Sequence, residues 1–444
     1  MFESVLVANR GEIASRVIHT VRAMGLKAIA VYSEADAGLP FVAEADEAIL
    51  IGPPQPARSY LDADRVLEAA RRTNAQAIHP GYGFLSEDAG FAERVIDRGL
   101  VWVGPPPLAI ARMGDKINAR NLMMEAGVPV SPGVWEPVPD AATAVAEAER
   151  IGYPVMVKAA GGGGGIGMGA ARDEAELLLA YETARNRAAR FFSNSDILLE
   201  RYVEGARHVE VQILGLADGT VVALGERDCS VQRRHQKIVE ETPSPGVSPQ
   251  LRARMLDAGV RAGETVGYRG AGTVEFLVDP AAQDFVFLEM NTRLQVEHPI
   301  TELVTGIDLV EQQLLIAAGE QVTFTSVEPH GHAVEFRVYA EDPVRFLPRP
   351  GDIKIWEEPV GEGIRIDAGY AEGNAVTPFY DPLLAKLCVH GADRAAALRR
   401  AEQAVGAFQI EGLQTNLPFF TELLGDPDFV AGTYDTGLVD RMRR

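Results

Sequence analysis

The stretch Glu289–Glu297 constrains the fold more than any other part of the chain. Its odd positions are polar and its even positions are mostly apolar, so an extended backbone would have one polar face and one apolar face. The polar face would carry carboxylates, amides and a guanidinium. This combination indicates metal and oxyanion chemistry, although a solvated face neutralised by lysines is the simpler alternative.

The residues just before this stretch predict a β-hairpin. Gly272–Asp279 and Phe285–Met290 have the composition of strands and are separated by a short turn. If the hairpin is centred on Ala282, Glu275 lies directly opposite Glu289 on the same face. Two carboxylates paired across strands repel each other, and a divalent cation would remove that cost because Mg²⁺ takes oxygen ligands. The predicted metal ligands are therefore Glu275, Glu289 and Asn291.

The charge balance and the cysteine content exclude several classes of protein. The 444 residues include 42 Lys and Arg against 63 Asp and Glu, a net charge of −21, which argues against nucleic acid or an anionic membrane as the main partner. The two cysteines, Cys229 and Cys388, lie far apart in sequence, so no disulfide framework is expected. The N-terminus lacks a secretory pattern, and no apolar run approaches membrane-spanning length. We therefore expect a soluble cytoplasmic protein of two or three domains.

Residues 1–114 alternate between strand and helix patterns, which predicts a Rossmann-like α/β domain with a parallel sheet. Asn9–Glu12 lies in the first strand-to-helix turn but lacks the glycine spacing of a dinucleotide-binding loop. The segment His79–Glu87 follows a predicted strand, where open α/β sheets bind ligands. It could equally be a tight turn that ends in a helix cap, so both roles stay open.

The glycine run Gly161–Gly165 predicts a loop whose backbone amides can approach a ligand closely. It follows the predicted strand Pro154–Lys158, and its spacing is not that of a P-loop. A flexible linker is the alternative, but strands on both sides favour a hairpin flap. With the helix 173–190 and the strand Ile197–Val203, these residues predict a small mobile α/β unit within about 131–203.

The chain beyond this unit is predicted to be mostly sheet. The basic segment Ser230–Lys237 is predicted to bind an anion, because the acidic hairpin follows soon after it. A surface loop that is salt-bridged to Glu240 and Glu241 is the simpler alternative. Residues 331–390 are again rich in strand patterns.

These motifs together resemble the ATP-grasp fold and, within it, the biotin carboxylase family. The resemblance covers essentially the whole chain and rests on Lys158–Gly165, Glu226–Lys237, Glu289–Pro299, His79–Glu87 and Tyr380–Leu387. It implies a fold that is α/β, or α+β overall, in three parts: a Rossmann-like N-terminal domain at 1–114, an ATP-grasp domain at 115–330 that includes the flap, and a β-rich C-terminal domain at 331–444.

The resemblance also implies an ATP site that uses Mg²⁺ or Mn²⁺, with two ions expected. The hinge Glu200–Val203 would bind adenine mainly through its backbone, while Lys116, Lys158 and the flap amides would hold the phosphates. The implied ATP-binding residues are Lys116, Lys158, Gly164, Gly165, Glu200, Arg201, Tyr202, Val203, His208, Gln232, His235, Glu275 and Glu289.

Bicarbonate and biotin sites follow from the same resemblance. Glu297 would deprotonate bicarbonate for attack on the γ-phosphate, giving carboxyphosphate, which breaks down to CO₂ and phosphate; the phosphate can then take the ureido proton of biotin. A guanidinium suits a planar developing oxyanion, so Arg337 would hold the enolate oxygen of biotin, with Tyr82 beside it. The implied bicarbonate-binding residues are Lys237, Arg293, Gln295 and Val296, and the implied catalytic residues are Lys237, Arg293, Glu297 and Arg337.

Two positions depart from the family pattern. Ile166 stands where the family usually has Arg, which puts the charge and closure of the flap in question. Arg201 stands where the hinge usually has Lys, and this change should matter little because the contact is through the backbone.

The partners are also inferred from the resemblance. The sequence has no Met-Lys-Met biotinylation motif, so we expect biotin to arrive on a separate biotin carboxyl carrier protein. Carboxyltransferase subunits and a second copy of the chain, as a homodimer, are the other expected partners. The final acceptor, an acyl-CoA or another compound, is set by a partner. The alternatives are an ATP-grasp ligase that activates a different carboxylate and a non-catalytic nucleotide-binding subunit.

Overall fold

The computed structural model describes residues 1–134, 136–159, 168–191, 196–322 and 327–443. In this part of the chain the strands are β1 (Ser4–Val7), β2 (Lys27–Ser33), β3 (Glu47–Gly52), β4 (Ala77–His79), β5 (Val101–Trp102), β6 (Val155–Ala159), β7 (Met168–Ala171), β8 (Ile197–Arg201), β9 (Arg207–Gly215), β10 (Val221–Arg233), β11 (Gln236–Thr242), β12 (Gly270–Asp279), β13 (Asp284–Asn291), β14 (His332–Tyr339), β15 (Gly351–Asp352), β16 (Ile355–Glu357), β17 (Ile364–Ala368), β18 (Ala375–Val376), β19 (Leu383–Gly391) and β20 (Gln409–Glu411). The helices are α1 (Gly11–Ala23), α2 (Pro40–Glu44), α3 (Ala63–Thr73), α4 (Ala89–Asp97), α5 (Pro107–Gly114), α6 (Lys116–Glu125), α7 (Ala141–Ile151), α8 (Glu174–Phe191), α9 (Pro249–Thr265), α10 (His298–Thr305), α11 (Leu309–Ala317), α12 (Arg394–Ala407), α13 (Leu417–Leu424), α14 (Pro427–Ala431) and α15 (Leu438–Met442). None of these helices combines the length and the apolar character needed to cross a bilayer.

The N-terminal part is a five-stranded parallel sheet in the order β3-β2-β1-β4-β5. Successive residues of β1 point to opposite faces: Val5 and Val7 pack with α1, whereas Leu6 packs with α3 and α4. Helices therefore cover both faces, and the predicted Rossmann-like layout is confirmed.

The small α/β unit is an antiparallel three-stranded sheet, β7-β6-β8, packed against α7 and α8. Asp140 caps α7 by accepting a hydrogen bond from the Thr143 amide, as its position in the sequence indicates. The strand predicted to reach Val203 ends at Arg201. The glycine run Gly161–Gly165 lies outside the described residues.

An antiparallel sheet of eight strands forms the largest layer, in the order β13-β12-β9-β10-β11-β14-β19-β17. On one face, Val209, Val211 and Ile213 of β9 pack against α9, a helix that the sequence analysis missed. The intervening residues of β9 are His208, Glu210 and Gln212, so the opposite face of the sheet is polar although it is buried. Both cysteines lie in this sheet, in β10 and β19, and both are free, as expected.

The predicted pairing of Glu275 with Glu289 is confirmed, but the hairpin reaches it by a different route. Near the turn the register is Asp279 opposite Asp284, and it continues to Phe276 opposite Phe287. A β-bulge then inserts Leu288, and the extra residue brings Glu275 opposite Glu289. Without the bulge, the two carboxylates would point to different faces of the hairpin.

The prediction of one continuous extended stretch from Glu289 to Glu297 is wrong in its second half. β13 ends at Asn291, and the chain turns at Val296 and Glu297 into α10. Pro299 lies in the first turn of this helix, where its fixed φ and missing N–H suit a helix start.

Candidate active site

The ammonium of Lys237 is the centre of the polar face of the large sheet. Its Nζ lies 2.5 Å from Glu210 Oε2, 2.7 Å from Glu275 Oε1 and 2.8 Å from Glu297 Oε1. All three carboxylates are buried. Burial alone lowers the pKa of Lys237, but the surrounding acidic groups outweigh it and raise the pKa well above its usual value. The lysine is therefore charged, and three carboxylates share it.

Glu297 joins this lysine to Arg337. Its Oε2 accepts a hydrogen bond of 2.9 Å from Arg337 Nη2, and the same nitrogen lies 2.6 Å from Glu240 Oε1. Burial by itself raises the pKa of Glu297, but Lys237, Arg337 and Arg227 hold it well below its usual range. Glu297 also directly precedes α10, and the positive end of a helix dipole favours the ionised form.

The two predicted metal carboxylates have unequal surroundings. Glu275 is fully engaged: Asn291 Nδ2 donates to its Oε1 at 2.8 Å, and its Oε2 lies 2.7 Å from His208 Nε2. Glu289 has no hydrogen-bond partner among the described residues, and burial together with Glu275 raises its pKa. A half-buried carboxylate without a hydrogen-bond partner, opposite a second carboxylate, fits a bound cation. Asn291 Oδ1 now accepts from Arg293 Nη2 at 3.1 Å, so its oxygen reaches a cation only after that bond is released.

His208 and Gln232 lie in the same network as predicted. Gln232 Nε2 lies 2.7 Å from His208 Nδ1 and donates to the Cys229 carbonyl at 2.8 Å. The sequence analysis missed Glu210, although the alternation of polar residues from His208 to Gln212 could have revealed it. Arg227 Nε donates to Glu210 Oε1 at 2.6 Å and holds that carboxylate in place.

The segment His79–Glu87, for which two roles stayed open, contacts the site at two points. Glu87 Oε2 accepts from Arg293 Nε at 2.9 Å, and the Tyr82 hydroxyl donates to Glu12. Arg293 Nη1 also donates to Gln295 Oε1 at 2.9 Å. Glu12 and Glu87 end the segments Asn9–Glu12 and His79–Glu87, but the sequence alone assigned neither carboxylate a partner in the site.

The predicted phosphate lysines lie on the other side of the metal carboxylates. Lys158 Nζ is 2.5 Å from Glu200 Oε2. Burial raises the pKa of Glu200, but Lys158, Arg120 and Lys116 outweigh burial and lower it. The charge of Lys116 offsets only part of the rise in the pKa of Glu289. A cavity of about 280 Å³ lies between Lys116, Glu289 and the Glu87 segment. Among the predicted ATP residues, Gly164 and Gly165 lie outside the described part of the chain, as does Ile166.

Two backbone amides of the hinge Glu200–Val203 already have hydrogen-bond partners. The Arg201 N–H donates to Pro132 O at 2.8 Å, and the Tyr202 N–H donates to Pro154 O at 2.9 Å. The Val203 N–H has no backbone partner within the described ranges.

His235 is exposed at the tip of the turn between β10 and β11, with φ of +67°, and its place around the nucleotide stays a prediction. For the basic segment, the alternative of a salt-bridged surface loop with Glu240 and Glu241 is excluded, because the segment forms a hairpin and both glutamates are buried. They pair instead with arginines from later strands and helices, which local sequence cannot show.

Models of known protein families match nearly the whole chain. The description "Biotin carboxylase, N-terminal domain" applies to residues 1–110, "Carbamoyl-phosphate synthase L chain, ATP binding domain" to residues 115–325, and "Biotin carboxylase C-terminal domain" to residues 335–441.

Individual relatives agree with these models. Biotin carboxylase 2 of Bacillus subtilis is 50% identical over 438 residues, covering 98% of this chain and 98% of the relative. The crystal structure of a biotin carboxylase–ATP complex from Campylobacter jejuni has a TM-score of 0.97 at 41% identity and covers 99% of both chains. A biotin carboxylase domain dimer of 2-oxoglutarate carboxylase from Hydrogenobacter thermophilus, in complex with MgADP, ADP and bicarbonate, has a TM-score of 0.95 at 42% identity and covers 99% of this chain and 98% of that one. The chain therefore belongs to the biotin carboxylase family.

Proposed function

We propose that this protein is an ATP-dependent ligase that carboxylates biotin with bicarbonate, through carboxyphosphate, on a separate carrier protein. This would be the first half-reaction of a multi-subunit carboxylase. The observation that carries the proposal is the position of Glu297, buried between Lys237 and Arg337 and next to a carboxylate pair that fits a cation.

Glu297 is proposed to act as the general base on bicarbonate. Bicarbonate, an anion, would be held by Lys237 and Arg293, with Gln295 and Val296 completing its site. Both oxygens of Glu297 accept from cations, which lowers its pKa and makes it a weak base. Substrates that take over Lys237 and Arg337 would raise its proton affinity, so the base becomes stronger when the substrates are in place. The bicarbonate proton then passes to Glu297, and the bicarbonate oxygen attacks the γ-phosphorus with release of ADP.

The nucleotide is proposed to lie between the metal carboxylates and the small α/β unit. Glu275, Glu289 and Asn291 would hold Mg²⁺, which when bound neutralises phosphate charge. Lys116 and Lys158 would bind the phosphates, with His208, Gln232 and His235 around the nucleotide. The adenine would contact the hinge through the free N–H of Val203 and the backbone carbonyls of residues 200–202, since two hinge amides are already used.

Biotin is proposed to bind at Arg337, near Tyr82. Negative charge develops on the ureido oxygen as biotin loses its proton, and a buried guanidinium stabilises that charge more strongly than water does. The Tyr82 hydroxyl donates to Glu12, which pairs with Lys386, the cross-strand neighbour of Arg337, and this connection supports a shared biotin site.

We also propose the domain division 1–114, 115–330 and 331–444, the flap within about 131–203, and a cytoplasmic homodimer that works with a biotin carboxyl carrier protein and carboxyltransferase subunits. Support for the dimer comes from the Hydrogenobacter thermophilus relative, whose structure is that of a dimer.

The proposal is tested by measuring ATP hydrolysis in bicarbonate-depleted buffer. We expect hydrolysis to need both Mg²⁺ and added bicarbonate, and free biotin to raise its rate. Equal hydrolysis with and without bicarbonate would contradict the proposal, and stimulation by another carboxylate but not by biotin would favour a different ATP-grasp ligase.

A further inference from the structure

Lys386 lies in the middle of β19 and is completely buried, with 0% of its surface exposed. In the sheet register it is directly opposite Arg337 of β14 on one side and Asp367 of β17 on the other. Directly opposite residues in antiparallel strands point to the same face, so Lys386 lies on the face that carries the site. It belongs to the motif Tyr380–Leu387, which none of the steps proposed above uses.

The ammonium of Lys386 has three partners. Its Nζ donates to the Val296 carbonyl oxygen at 3.0 Å, and it lies 3.0 Å from Glu12 Oε2 and 3.6 Å from Asp367 Oδ2. Asp367 has a second cation, since Arg365 Nε donates to it at 2.8 Å. Glu12 forms its ion pair with Lys386 alone within the described residues. Removal of the ammonium would therefore affect Val296 and Glu12 most.

The contact with Val296 bears on the bicarbonate site. The carbonyl belongs to the peptide bond that joins Val296 to Glu297, and a peptide group is planar. A hydrogen bond that fixes this oxygen also fixes the orientation of the Glu297 backbone, from which the proposed base projects.

The contact with Glu12 bears on the biotin site. Glu12 Oε1 accepts the hydrogen bond from the Tyr82 hydroxyl, while Glu12 Oε2 faces Lys386. Burial and Glu12 raise the pKa of Tyr82 well above its usual value, so the hydroxyl keeps its proton and Glu12 sets its direction.

We infer that Lys386 is a positioning residue that aligns the bicarbonate site through Val296 and the biotin site through Glu12 and Tyr82. The inference rests on the proposed function, which assigns those substrates to those residues. Lys386 does not contact the lysines assigned to ATP, so its effect should be confined to two of the three substrates.

Two substitutions separate the contact of Lys386 with Val296 from its contact with Glu12. Lys386→Met keeps the length of the side chain and removes its charge, and we expect it to raise the apparent KM for bicarbonate and for free biotin by about tenfold or more. The KM for ATP should stay within about twofold. Glu12→Gln leaves the Lys386–Val296 hydrogen bond in place, so it should raise the KM for biotin and leave that for bicarbonate unchanged.

Arg394→Met is the matched control for stability. Arg394 is also paired with a buried carboxylate, Glu241, but on the other side of the sheet. We expect this variant to lower the unfolding midpoint and leave all three KM values unchanged. If Lys386→Met alone does not fold, the double variant Glu12→Gln/Lys386→Met replaces it, because this variant removes both buried charges. We expect the same rise in its KM for bicarbonate as for Lys386→Met.

An unchanged KM for bicarbonate in the folded variant, or an equal rise in all three KM values, would overturn the positioning role. A failure of the proposed function is distinguishable, because wild-type protein would then hydrolyse ATP without any response to bicarbonate. If ATP hydrolysis by the wild-type protein depends on bicarbonate and the KM values of Lys386→Met are unchanged, only the role of Lys386 is overturned.

Discussion

Glu240 and Glu241 are neighbours in β11, yet they belong to two buried charge clusters that shift their pKa values in opposite directions. Glu241 is bound by His332 Nε2 at 2.6 Å, Arg394 Nε at 2.7 Å and the Tyr434 hydroxyl at 2.5 Å. Burial raises its pKa, but these donors outweigh burial and lower it to about 2. Glu240 shares Arg337 with Glu297. Burial dominates there, and the pKa of Glu240 is raised to about 7.

The two clusters differ in whether their carboxylates have enough cations and hydrogen-bond donors. Around Glu241, donors and cations satisfy one carboxylate, which is the arrangement expected of a structural ion pair. Around Lys237 and Arg337, several carboxylates share each cation, and both oxygens of Glu240 lack a well-formed hydrogen bond. A buried cluster that is short of positive charge is costly by itself. Buried groups with strongly perturbed pKa values collect at functional sites, so the deficit indicates a functional site.

The largest loss of activity is expected when the proposed base is removed from the cluster around Lys237 and Arg337. Glu297→Gln keeps the shape of the side chain but cannot accept the bicarbonate proton, so bicarbonate-dependent ATP hydrolysis should fall by about 10²–10⁴-fold. Nucleotide binding, measured by calorimetry with MgADP, should be retained. Activity within twofold of wild type would show that another group is the base.

Arg337→Ala should separate the two half-steps of the reaction. Bicarbonate-dependent ATP hydrolysis without biotin should persist, whereas carboxybiotin formation should fall by about 10²-fold or more, because a main donor to the developing oxyanion is gone. Carboxybiotin is measured with ¹⁴C-bicarbonate and free biotin. A parallel loss of both activities would mean that Arg337 serves the nucleotide site or the fold.

Glu241→Ala tests the cluster that we regard as structural. It leaves Arg394 and His332 without their buried anion, so the free energy of unfolding should fall by about 3 kcal/mol or more. Urea unfolding measures this change, and the KM values of the folded protein should not move. A change in KM without a loss of stability would contradict the assignment.

The pH dependence of stability should differ in sign between the two neighbours. Glu241 has a lowered folded pKa, so its stabilisation is present above about pH 4.5 and is lost as the pH falls towards 2. Glu240 has a raised folded pKa, so its contribution is present below about pH 4.5 and is lost as the pH rises through about 7.

The matched variants Glu241→Gln and Glu240→Gln should each flatten the stability profile in one of these windows. Urea midpoints measured between pH 3 and 8 report both. The same pH window for both variants would show that the two carboxylates do not differ as described.

The local elements were predictable because their causes are local. Alternating strand and helix patterns indicated the parallel sheet, and strand patterns indicated that the later chain is mostly sheet. Asp140 and Asp393 begin helices through their own side chains. Helix α9 was not predicted because two glycines and three arginines interrupt its apolar stripe. It forms because Leu251, Met255 and Ala258 bury against β9.

The structure brings together the predicted site residues where the motif is contiguous, since Gln295 Nε2 donates to Glu275 Oε1 and Arg293 donates to Gln295. Arg293, Gln295 and Glu297 lie in one short segment, and their spacing alone brings them near Glu275. His235 differs from them: it is exposed in a turn with positive φ, a geometry that the order of residue types does not show.

The order of amino acids specifies which chemical groups are available and which of them share a segment. Which group lies against which depends on how the elements pack together. The bulge at Leu288 sets the Glu275–Glu289 pair, and Glu12, Glu87 and Lys386 reach the site from parts of the chain far apart in sequence. The physical reason is that spacing fixes neighbours along one strand or helix, whereas contacts between elements depend on register, twist and packing, which are set by the whole buried core.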